Sequence, residues 1–144
     1  MKKARKSVGG KVRPTTSKVL ESLAAILAPD LPDARVLDLF AGTGRVGLRL
    51  LEEGAESIVF VEGNRRVAQD LRNTVRSHSS KDRLSVVVGP IPKILARIHG
   101  QFHFAVCDPP YDWSDPSSLL PAARDLILPE GILVVEHHHK TEYN

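Results

Sequence analysis

Five short apolar segments, each followed by turn residues and a helical pattern, constrain the fold of this chain more than any other feature. Segments of this length that alternate with helices through short connections predict an α/β domain, with a mostly parallel sheet and helices on both faces. In such sheets, ligands bind beyond the carboxyl ends of the strands, near the point where the strand order reverses. The predicted strands are Arg35–Phe40, Ser57–Glu62, Leu84–Val88, Phe102–Cys107 and Gly131–Glu136.

Helical spacing of apolar residues and turn residues at the ends predict the elements between these strands. A first helix begins near Pro14 and ends at Pro29, after Val19, Leu20, Leu23, Ile26 and Leu27. The others are predicted at Gly44–Glu53, Asn64–Ser77, Pro92–His99 and Pro116–Leu128, with a loop at Asp108–Asp115.

Charge is concentrated at the N-terminus. Six of the 20 basic residues lie in the first 13 positions, which hold no acid, so the remaining 14 face 17 acidic residues. Residues 1–13 therefore predict a flexible basic arm that contacts the phosphates of a nucleic acid, although a merely solubilising tail fits the composition equally well. The arm residues predicted to bind RNA are Lys2, Lys3, Arg5, Lys6, Lys11 and Arg13.

Length and cysteine content narrow the class of protein. A chain of 144 residues fits one domain, and its single cysteine, Cys107, allows no intramolecular disulfide. No apolar run is long enough to cross a membrane, and the basic N-terminus lacks the apolar stretch of a signal peptide. We therefore expect a cytoplasmic protein that does not associate with membranes.

A glycine-rich turn follows the first strand. Gly42, Gly44 and Gly47 have the spacing of a dinucleotide-binding loop, which needs a tight turn and close approach of the backbone to a ligand. Glu62 lies 20 residues after Gly42, where a carboxylate can accept hydrogen bonds from ribose hydroxyls. This pattern alone fits NAD and S-adenosylmethionine equally well.

Asp38 favours S-adenosylmethionine over NAD as the ligand of this loop. A carboxylate inside the first strand is costly to bury unless it has a role. It can orient the glycine loop or reach the amino group of a methionine moiety. A pyrophosphate gains nothing from this negative charge, whereas a cationic sulfonium ligand does. The sequence thus favours S-adenosylmethionine.

The fourth strand ends in Asp108-Pro109-Pro110-Tyr111, the most specific motif of the chain. Two prolines fix the backbone and remove two amide donors, which frees carbonyls to accept hydrogen bonds. The Asp108 carboxylate and the Pro109 carbonyl can each accept one hydrogen of an exocyclic base amine, and Tyr111 can stack on the base. The motif predicts amine methylation by positioning and electrostatics, without a metal.

With these motifs in place, the chain resembles the RsmD family of bacterial 16S rRNA guanine-N2 methyltransferases from about Val12 to Lys140. The matching stretches are Arg13-Pro14-Thr15 followed by Glu21, residues 36–44, Gly54-Ala55, Val61-Glu62, residues 108–111 and residues 134–137. Asp-Pro-Pro-Tyr is shared with DNA adenine-N6 methyltransferases. The Arg-Pro-Thr segment and the Leu-Phe-Ala-Gly form of the glycine loop narrow the resemblance to RsmD.

The resemblance implies a Rossmann-like class I methyltransferase domain at 14–144 and S-adenosylmethionine as donor. It implies methylation of a guanine in the small-subunit RNA, guanine 966 in the family's name, as a step in rRNA processing and subunit maturation. Arg13 and Thr15 would lie near the cofactor's carboxylate or the RNA, and Asp108, Pro109, Pro110 and Tyr111 would form the amine site. The cofactor site would comprise Asp38, Phe40, Ala41, Gly42, Thr43, Gly44, Glu62, Gly63, Pro90 and Ile91.

The chain departs from the family pattern in two places. The acidic residue usual after the third strand is replaced by Gly89-Pro90-Ile91, so adenine contacts must come from backbone or apolar groups. The family fold also continues into a C-terminal antiparallel hairpin, which has no counterpart here. Ile132–Val135 would then form an apolar edge strand, so we expect either a chain that lacks its C-terminal end or self-association through this strand.

Several residues are not assigned a role by sequence. Consecutive histidines at a strand end point to opposite sides, so His137, His138 and His139 predict no metal site. Trp113 can face RNA or close its loop, and Cys107 is expected to be a core residue. Competing hypotheses are DNA adenine-N6 methylation, a non-catalytic RNA-binding module on the same fold and, least favoured, an NAD-dependent dehydrogenase.

Overall fold

The computed structural model describes residues 17–110, 113 and 116–136. In these ranges, helices and strands largely alternate, as the apolar pattern predicts. The elements are α1 (Ser17–Leu27), β1 (Arg35–Leu39), α2 (Arg45–Glu52), β2 (Ser57–Glu62), α3 (Arg65–Arg76), β3 (Leu84–Val88), β4 (Phe102–Cys107), α4 (Leu119–Arg124) and β5 (Ile127–Val135).

The five strands form one sheet in the order β3-β2-β1-β4-β5, and each of the four pairings is parallel. β1 lies in the middle, between β2 and β4. The order therefore reverses at β1, which brings the carboxyl ends of β1 and β4 side by side. The prediction of an α/β domain with a parallel sheet is confirmed.

Two apolar clusters cover the two faces of the sheet. One packs α1, α2 and α3 against β1 and β2, with Leu27, Leu50 and Leu71 on the helices and Phe60 on β2. The other packs α4 and a short 3-10 helix at Lys93–Arg97 against the opposite face. Because both faces are buried, the strands need continuous apolar runs rather than alternating ones.

Two predicted helices differ from the structure. The helix predicted at Pro92–His99 is a 3-10 helix at Lys93–Arg97. The helix predicted at Pro116–Leu128 is a 3-10 turn followed by α4, which ends at Arg124. The prediction for Leu126–Leu128 was wrong because strand pairing competes with the helix there: Ile127 pairs with Phe102, and the Leu126 carbonyl accepts a hydrogen bond from the Phe102 amide at 2.7 Å.

β5 lies at one edge of the sheet. Ile132 on this strand is 45% exposed, whereas Val134 is buried. The antiparallel hairpin of the family fold, which the sequence predicts to be missing, would fall beyond residue 136, outside the described residues. Self-association through β5 stays a prediction. Within the described ranges, no helix is both long and apolar enough to span a membrane.

A charged contact joins the first two helices. The Arg49 guanidinium on α2 donates two hydrogen bonds to the Glu21 carboxylate on α1, at 2.7 and 2.9 Å, and a third to Glu53 at 2.9 Å. The hydrogen bonds and charge of Arg49 lower the pKa of Glu21. Glu21, which belongs to the segment resembling RsmD, thus holds α1 against the helix that follows the glycine loop.

Candidate active site

The loop between β1 and α2 turns sharply through left-handed backbone conformations. Phe40 has φ 62°, Gly42 has φ 58° and Gly44 has φ 83°. The Gly44 amide donates to the Ala41 carbonyl at 2.8 Å, and the Ala41 amide donates to the Val61 carbonyl on β2 at 3.0 Å. The loop is therefore closed by its own bonds and attached to the neighbouring strand.

The three glycines of the loop meet different requirements. A Cβ at Gly42 would meet no atom within 4 Å, so the backbone there borders open space. A Cβ at Gly44 would lie 2.6 Å from the Leu71 side chain on α3. A Cβ at Gly47 would lie 2.5 Å from the Phe60 ring and 2.9 Å from Asp38 Oδ2. Gly42 thus allows a ligand to approach, whereas Gly44 and Gly47 allow helices to pack closely.

Glu62 lies at the end of β2 and joins the glycine loop to the start of α3. Its Oε1 accepts a hydrogen bond from the Gly42 amide at 2.8 Å, and its Oε2 accepts one from the Asn64 amide at 3.0 Å. Asn64 caps α3, because its side-chain oxygen accepts a hydrogen bond from the Val67 amide at 3.0 Å. A carboxylate can accept about four hydrogen bonds, so Glu62 retains capacity for ligand hydroxyls.

Asp38 is the one buried charged or polar side chain among the described residues, at 3% exposure. Its Oδ2 accepts a hydrogen bond from the Gly47 amide at 3.0 Å, in the first turn of α2. Burial raises the pKa of Asp38 well above its usual range, the Gly47 hydrogen bond lowers this pKa, and the charges of Asp108 and Glu62 raise it. Asp38 therefore orients the start of α2, one of the roles that the sequence predicts.

The segment after β3 lies next to the end of β2, and β2 in turn contacts the glycine loop. The Gly89 amide donates to the Glu62 carbonyl at 3.1 Å. Pro90 is exposed, and its carbonyl accepts a hydrogen bond from the Ile94 amide at 2.7 Å. Ile91 packs on the second apolar cluster. The side chains offered by Pro90 and Ile91 are apolar, as the sequence predicts, and their contact with a cofactor stays a prediction.

The Asp-Pro-Pro motif follows β4 directly. The Pro110 carbonyl accepts a hydrogen bond from the Trp113 amide at 3.0 Å, which closes a turn. Cys107, the last residue of β4, is buried; burial raises the pKa of its thiol, and the charges of Asp108 and Asp38 raise it further. A protonated, buried thiol is a poor nucleophile, so Cys107 is a core residue.

The two motifs lie at the same edge of the sheet. Leu39, the last residue of β1, pairs with Cys107, the last residue of β4, so the glycine loop and Asp108 begin side by side. Asp108 directly follows Cys107, and its charge raises the pKa values of both Asp38 and Cys107. The loops after β1 and β4 therefore begin at adjacent strand ends, and the roles of their residues stay a prediction.

Some predicted residues fall outside the described part of the chain. Tyr111 is one, and so are His137, His138 and His139. The predicted RNA-binding residues are also outside: Lys2, Lys3, Arg5, Lys6, Lys11, Arg13 and Thr15. Among the described residues, no group of three or more histidine, cysteine, aspartate or glutamate side chains is arranged to hold a metal ion.

Sequence reasoning missed two contributors to the site. Asn64 is a second partner of Glu62, and the Asn residue just before the helical pattern was a signal that could have found it. Trp113 was assigned no role, yet its ring packs against Phe40 with centroids 4.9 Å apart. That contact joins residues 73 positions apart in sequence, and no local pattern reports it.

A comparison with protein families identifies the family of this chain. The sequence profile of the family described as conserved hypothetical protein 95 matches residues 2–144. The chain belongs to this family, the RsmD family. The RsmD resemblance stated from the sequence motifs is thereby confirmed.

Two curated relatives of this RsmD-family chain are similar in sequence. YlbH from Bacillus subtilis (strain 168), provisionally named an rRNA methyltransferase, is 30% identical over 139 residues, which cover 93% of this chain and 76% of YlbH. Ribosomal RNA small subunit methyltransferase D from Escherichia coli (strain K12) is 36% identical over 101 residues, which cover 69% of this chain. The match spans only 50% of the length of the Escherichia coli protein.

Solved structures show the same fold. The structure of yhhF from Escherichia coli, provisionally described as a methyltransferase, has a TM-score of 0.80 at 27% identity and covers 94% of this chain and 83% of its own. An S-adenosylmethionine-dependent methyltransferase from Thiobacillus denitrificans, in complex with S-adenosyl-L-homocysteine, has a TM-score of 0.70 at 16% identity. The match covers 88% of this chain and 50% of that protein's chain. This RsmD-family chain has the Rossmann-like class I methyltransferase fold.

Proposed function

We propose that this protein is an S-adenosylmethionine-dependent rRNA methyltransferase that methylates the exocyclic N2 amine of a guanine in 16S rRNA, at the position of guanine 966. The observation that carries the proposal is the juxtaposition of the glycine loop and Asp108 at the adjacent carboxyl ends of β1 and β4. The name of YlbH specifies rRNA and that of the Escherichia coli relative specifies small-subunit rRNA, which supports the substrate class. The product would contribute to rRNA processing and maturation of the small subunit.

The residues of the glycine loop fit the cofactor. The backbone at Gly42 borders open space, and Glu62 beside it has capacity for ribose hydroxyls. The residues that would hold S-adenosylmethionine are Asp38, Phe40, Ala41, Gly42, Thr43, Gly44, Glu62, Gly63, Pro90 and Ile91. The bound cofactor supplies an electrophilic methyl group and a positive charge, which suits the three carboxylates Asp38, Glu62 and Asp108.

The chain's own residues would activate the amine. A guanine amine is a weak nucleophile, because its lone pair is delocalised into the ring. The Asp108 carboxylate and the Pro109 carbonyl would each accept one hydrogen of the amine, which raises the electron density on nitrogen and fixes its orientation. Pro110 would keep the loop in shape through the turn it closes with Trp113, and Tyr111 would stack on the base.

Affinity for the RNA would come from the basic residues near the N-terminus rather than from the amine site. The described body carries no basic motif as dense as the first 13 residues, so we assign phosphate contacts to Lys2, Lys3, Arg5, Lys6, Lys11 and Arg13, with Thr15 near the site. Such contacts supply binding energy without sequence information.

The test is methyl transfer from labelled S-adenosylmethionine to three acceptors: small subunits from cells that lack the endogenous methyltransferase, naked 16S rRNA and DNA. Label at the N2 atom of one guanine in the subunits or the rRNA supports the proposal. Label at adenine in DNA would instead select adenine-N6 methylation. No incorporation into any acceptor, with S-adenosylmethionine shown to bind, would refute guanine methylation.

A further inference from the structure

One aromatic contact joins the two segments that the proposed function requires. The Phe40 ring lies directly after β1, at the entrance to the glycine loop. The Trp113 ring lies three residues after Pro110, at the exit of the Asp-Pro-Pro motif. The ring centroids are 4.9 Å apart and the ring planes are inclined at 59°, a tilted arrangement that aromatic pairs favour.

Each ring is held by the backbone of its own loop. Phe40 has φ 62°, a left-handed conformation that bulky residues rarely adopt unless their surroundings impose it. The next amide, that of Ala41, is bonded to Val61 on β2. Trp113 is bonded through its amide to the Pro110 carbonyl. The position of each ring therefore follows the position of its loop.

Both rings also rest on the same part of the core. Phe40 and Trp113 are partly buried and pack on the cluster that includes Leu39 at the end of β1, Cys107 at the end of β4 and Leu119 on α4. This support leaves little room for one ring to shift without displacing the other.

We propose that the Phe40–Trp113 contact couples the glycine loop to the Asp-Pro-Pro loop, and that Trp113 is a positioning residue for methyl transfer. The proposal rests on the proposed function, and it adds a physical link between the loop that would bind the cofactor and the loop that would bind the amine. A ligand on the glycine loop displaces or restrains Phe40, and Trp113 passes this constraint to the turn that carries the Pro110 carbonyl. Because small errors in the placement of reacting groups cost large factors in rate, this link affects turnover.

The chain offers a direct probe, because Trp113 is its only tryptophan. Its fluorescence, excited selectively over that of tyrosine, therefore reports on the surroundings of this one ring. We expect titration with S-adenosylhomocysteine to change the emission saturably, with the same midpoint as binding measured by calorimetry. In the Phe40→Leu variant, at ligand concentrations that calorimetry shows to be saturating for that variant, most of the emission change is lost.

Kinetics test the positioning role. We expect Trp113→Ala to lower kcat about tenfold to a hundredfold, with the KM for S-adenosylmethionine changed less than threefold. Trp113→Phe restores most of kcat, since a ring at this position again packs on Phe40. In a double-mutant cycle with Phe40→Ala, the effects on kcat are non-additive by about twofold to tenfold. Leu120→Ala, which truncates an exposed apolar side chain on α4, is the matched control and leaves kcat unchanged.

The outcomes separate this proposal from the proposed function. If S-adenosylhomocysteine binds by calorimetry without changing the emission, and Trp113→Phe and Trp113→Ala both keep the wild-type kcat, the coupling is refuted and the proposed function stands. Additive effects in the cycle also refute the coupling. An absence of calorimetric binding overturns the proposed function, and the coupling with it. Should Trp113→Ala fail to fold, the emission titrations of the wild type and of Phe40→Leu still decide the question.

Discussion

The two loops at the carboxyl edge of the sheet are stabilised in different ways. The glycine loop is held by backbone bonds to Ala41 and Val61 and by the carboxylates of Glu62 and Asp38. The Asp-Pro-Pro loop contains two prolines, which donate no amide hydrogen bonds; in its described part, the Trp113 amide donates to the Pro110 carbonyl and the Trp113 ring packs on Phe40. The comparison indicates that hydrogen bonds fix the glycine loop to the strand and helix beside it. In the Asp-Pro-Pro loop, the two prolines remove amide donors and keep the carbonyl acceptors.

If this contrast is correct, Asp108→Asn should have the largest effect on catalysis and little effect on stability. The amide retains the shape of the side chain but loses the charge that would attract the amine hydrogens. We expect kcat to fall about 100- to 1,000-fold, with S-adenosylhomocysteine affinity and the free energy of unfolding close to wild type. Single-turnover methyl transfer, calorimetry and denaturant unfolding measure these quantities.

The control for this variant is Asp125→Asn, which removes an exposed carboxylate next to α4. It should leave all three quantities unchanged. A wild-type rate for Asp108→Asn would contradict the assignment of the acceptor site.

On the cofactor side, Glu62→Gln should weaken ligand binding rather than turnover. One amide oxygen cannot replace two carboxylate oxygens that accept from the Gly42 and Asn64 amides. We expect the Kd for S-adenosylhomocysteine to rise about tenfold to a hundredfold by calorimetry. Glu130→Gln, at an exposed position of β5, is the control. An unchanged Kd would mean that Glu62 has no part in the cofactor site.

Gly47→Ala should reveal how tightly α2 packs on the sheet. The added Cβ meets the Phe60 ring at 2.5 Å and Ile58 at 2.8 Å, and it also crowds Asp38 Oδ2. We expect the free energy of unfolding to fall by about 1–3 kcal/mol in a urea titration. Gly42→Ala adds a Cβ that meets no neighbour but has φ 58°, so it should cost only about 1 kcal/mol. Equal losses would contradict the packing argument.

The smallest effect should be the pH dependence due to Asp38. Because its pKa is raised in the folded state, the folded protein binds more protons than the unfolded chain between the usual pKa of aspartate and the raised value. Wild-type stability therefore falls as pH rises through that window. Asp38→Asn removes this dependence while keeping an oxygen for the Gly47 amide, so the Tm difference between variant and wild type should increase with pH.

This pH series needs one comparison variant. Asp125→Asn should run parallel to wild type across the same range. A Tm difference between Asp38→Asn and wild type that does not vary with pH would show that the buried carboxyl does not titrate differently in the folded state.

Much of the architecture was predictable from local patterns. The apolar runs, the glycine spacing and the acid at Glu62 depend on residues that are close in sequence, and they predicted β1 to β4, the second half of β5 and the position of the glycine loop. The end of α4 was not predictable in this way. Leu126–Leu128 fit a helix locally, but in the fold they pair with Phe102, 24 or more positions earlier.

The sequence by itself determined which residues are predicted to carry chemistry: an aspartate in a strand, three glycines at fixed spacing, and an acid followed by two prolines. Each needs a particular backbone or charge wherever it lies. Only the tertiary structure decided how they act together. The parallel pairing of β1 with β4 brings the loops that contain Gly42 and Asp108 to one edge and sets Trp113 against Phe40. These contacts depend on strand order and packing between distant segments, which no local pattern encodes.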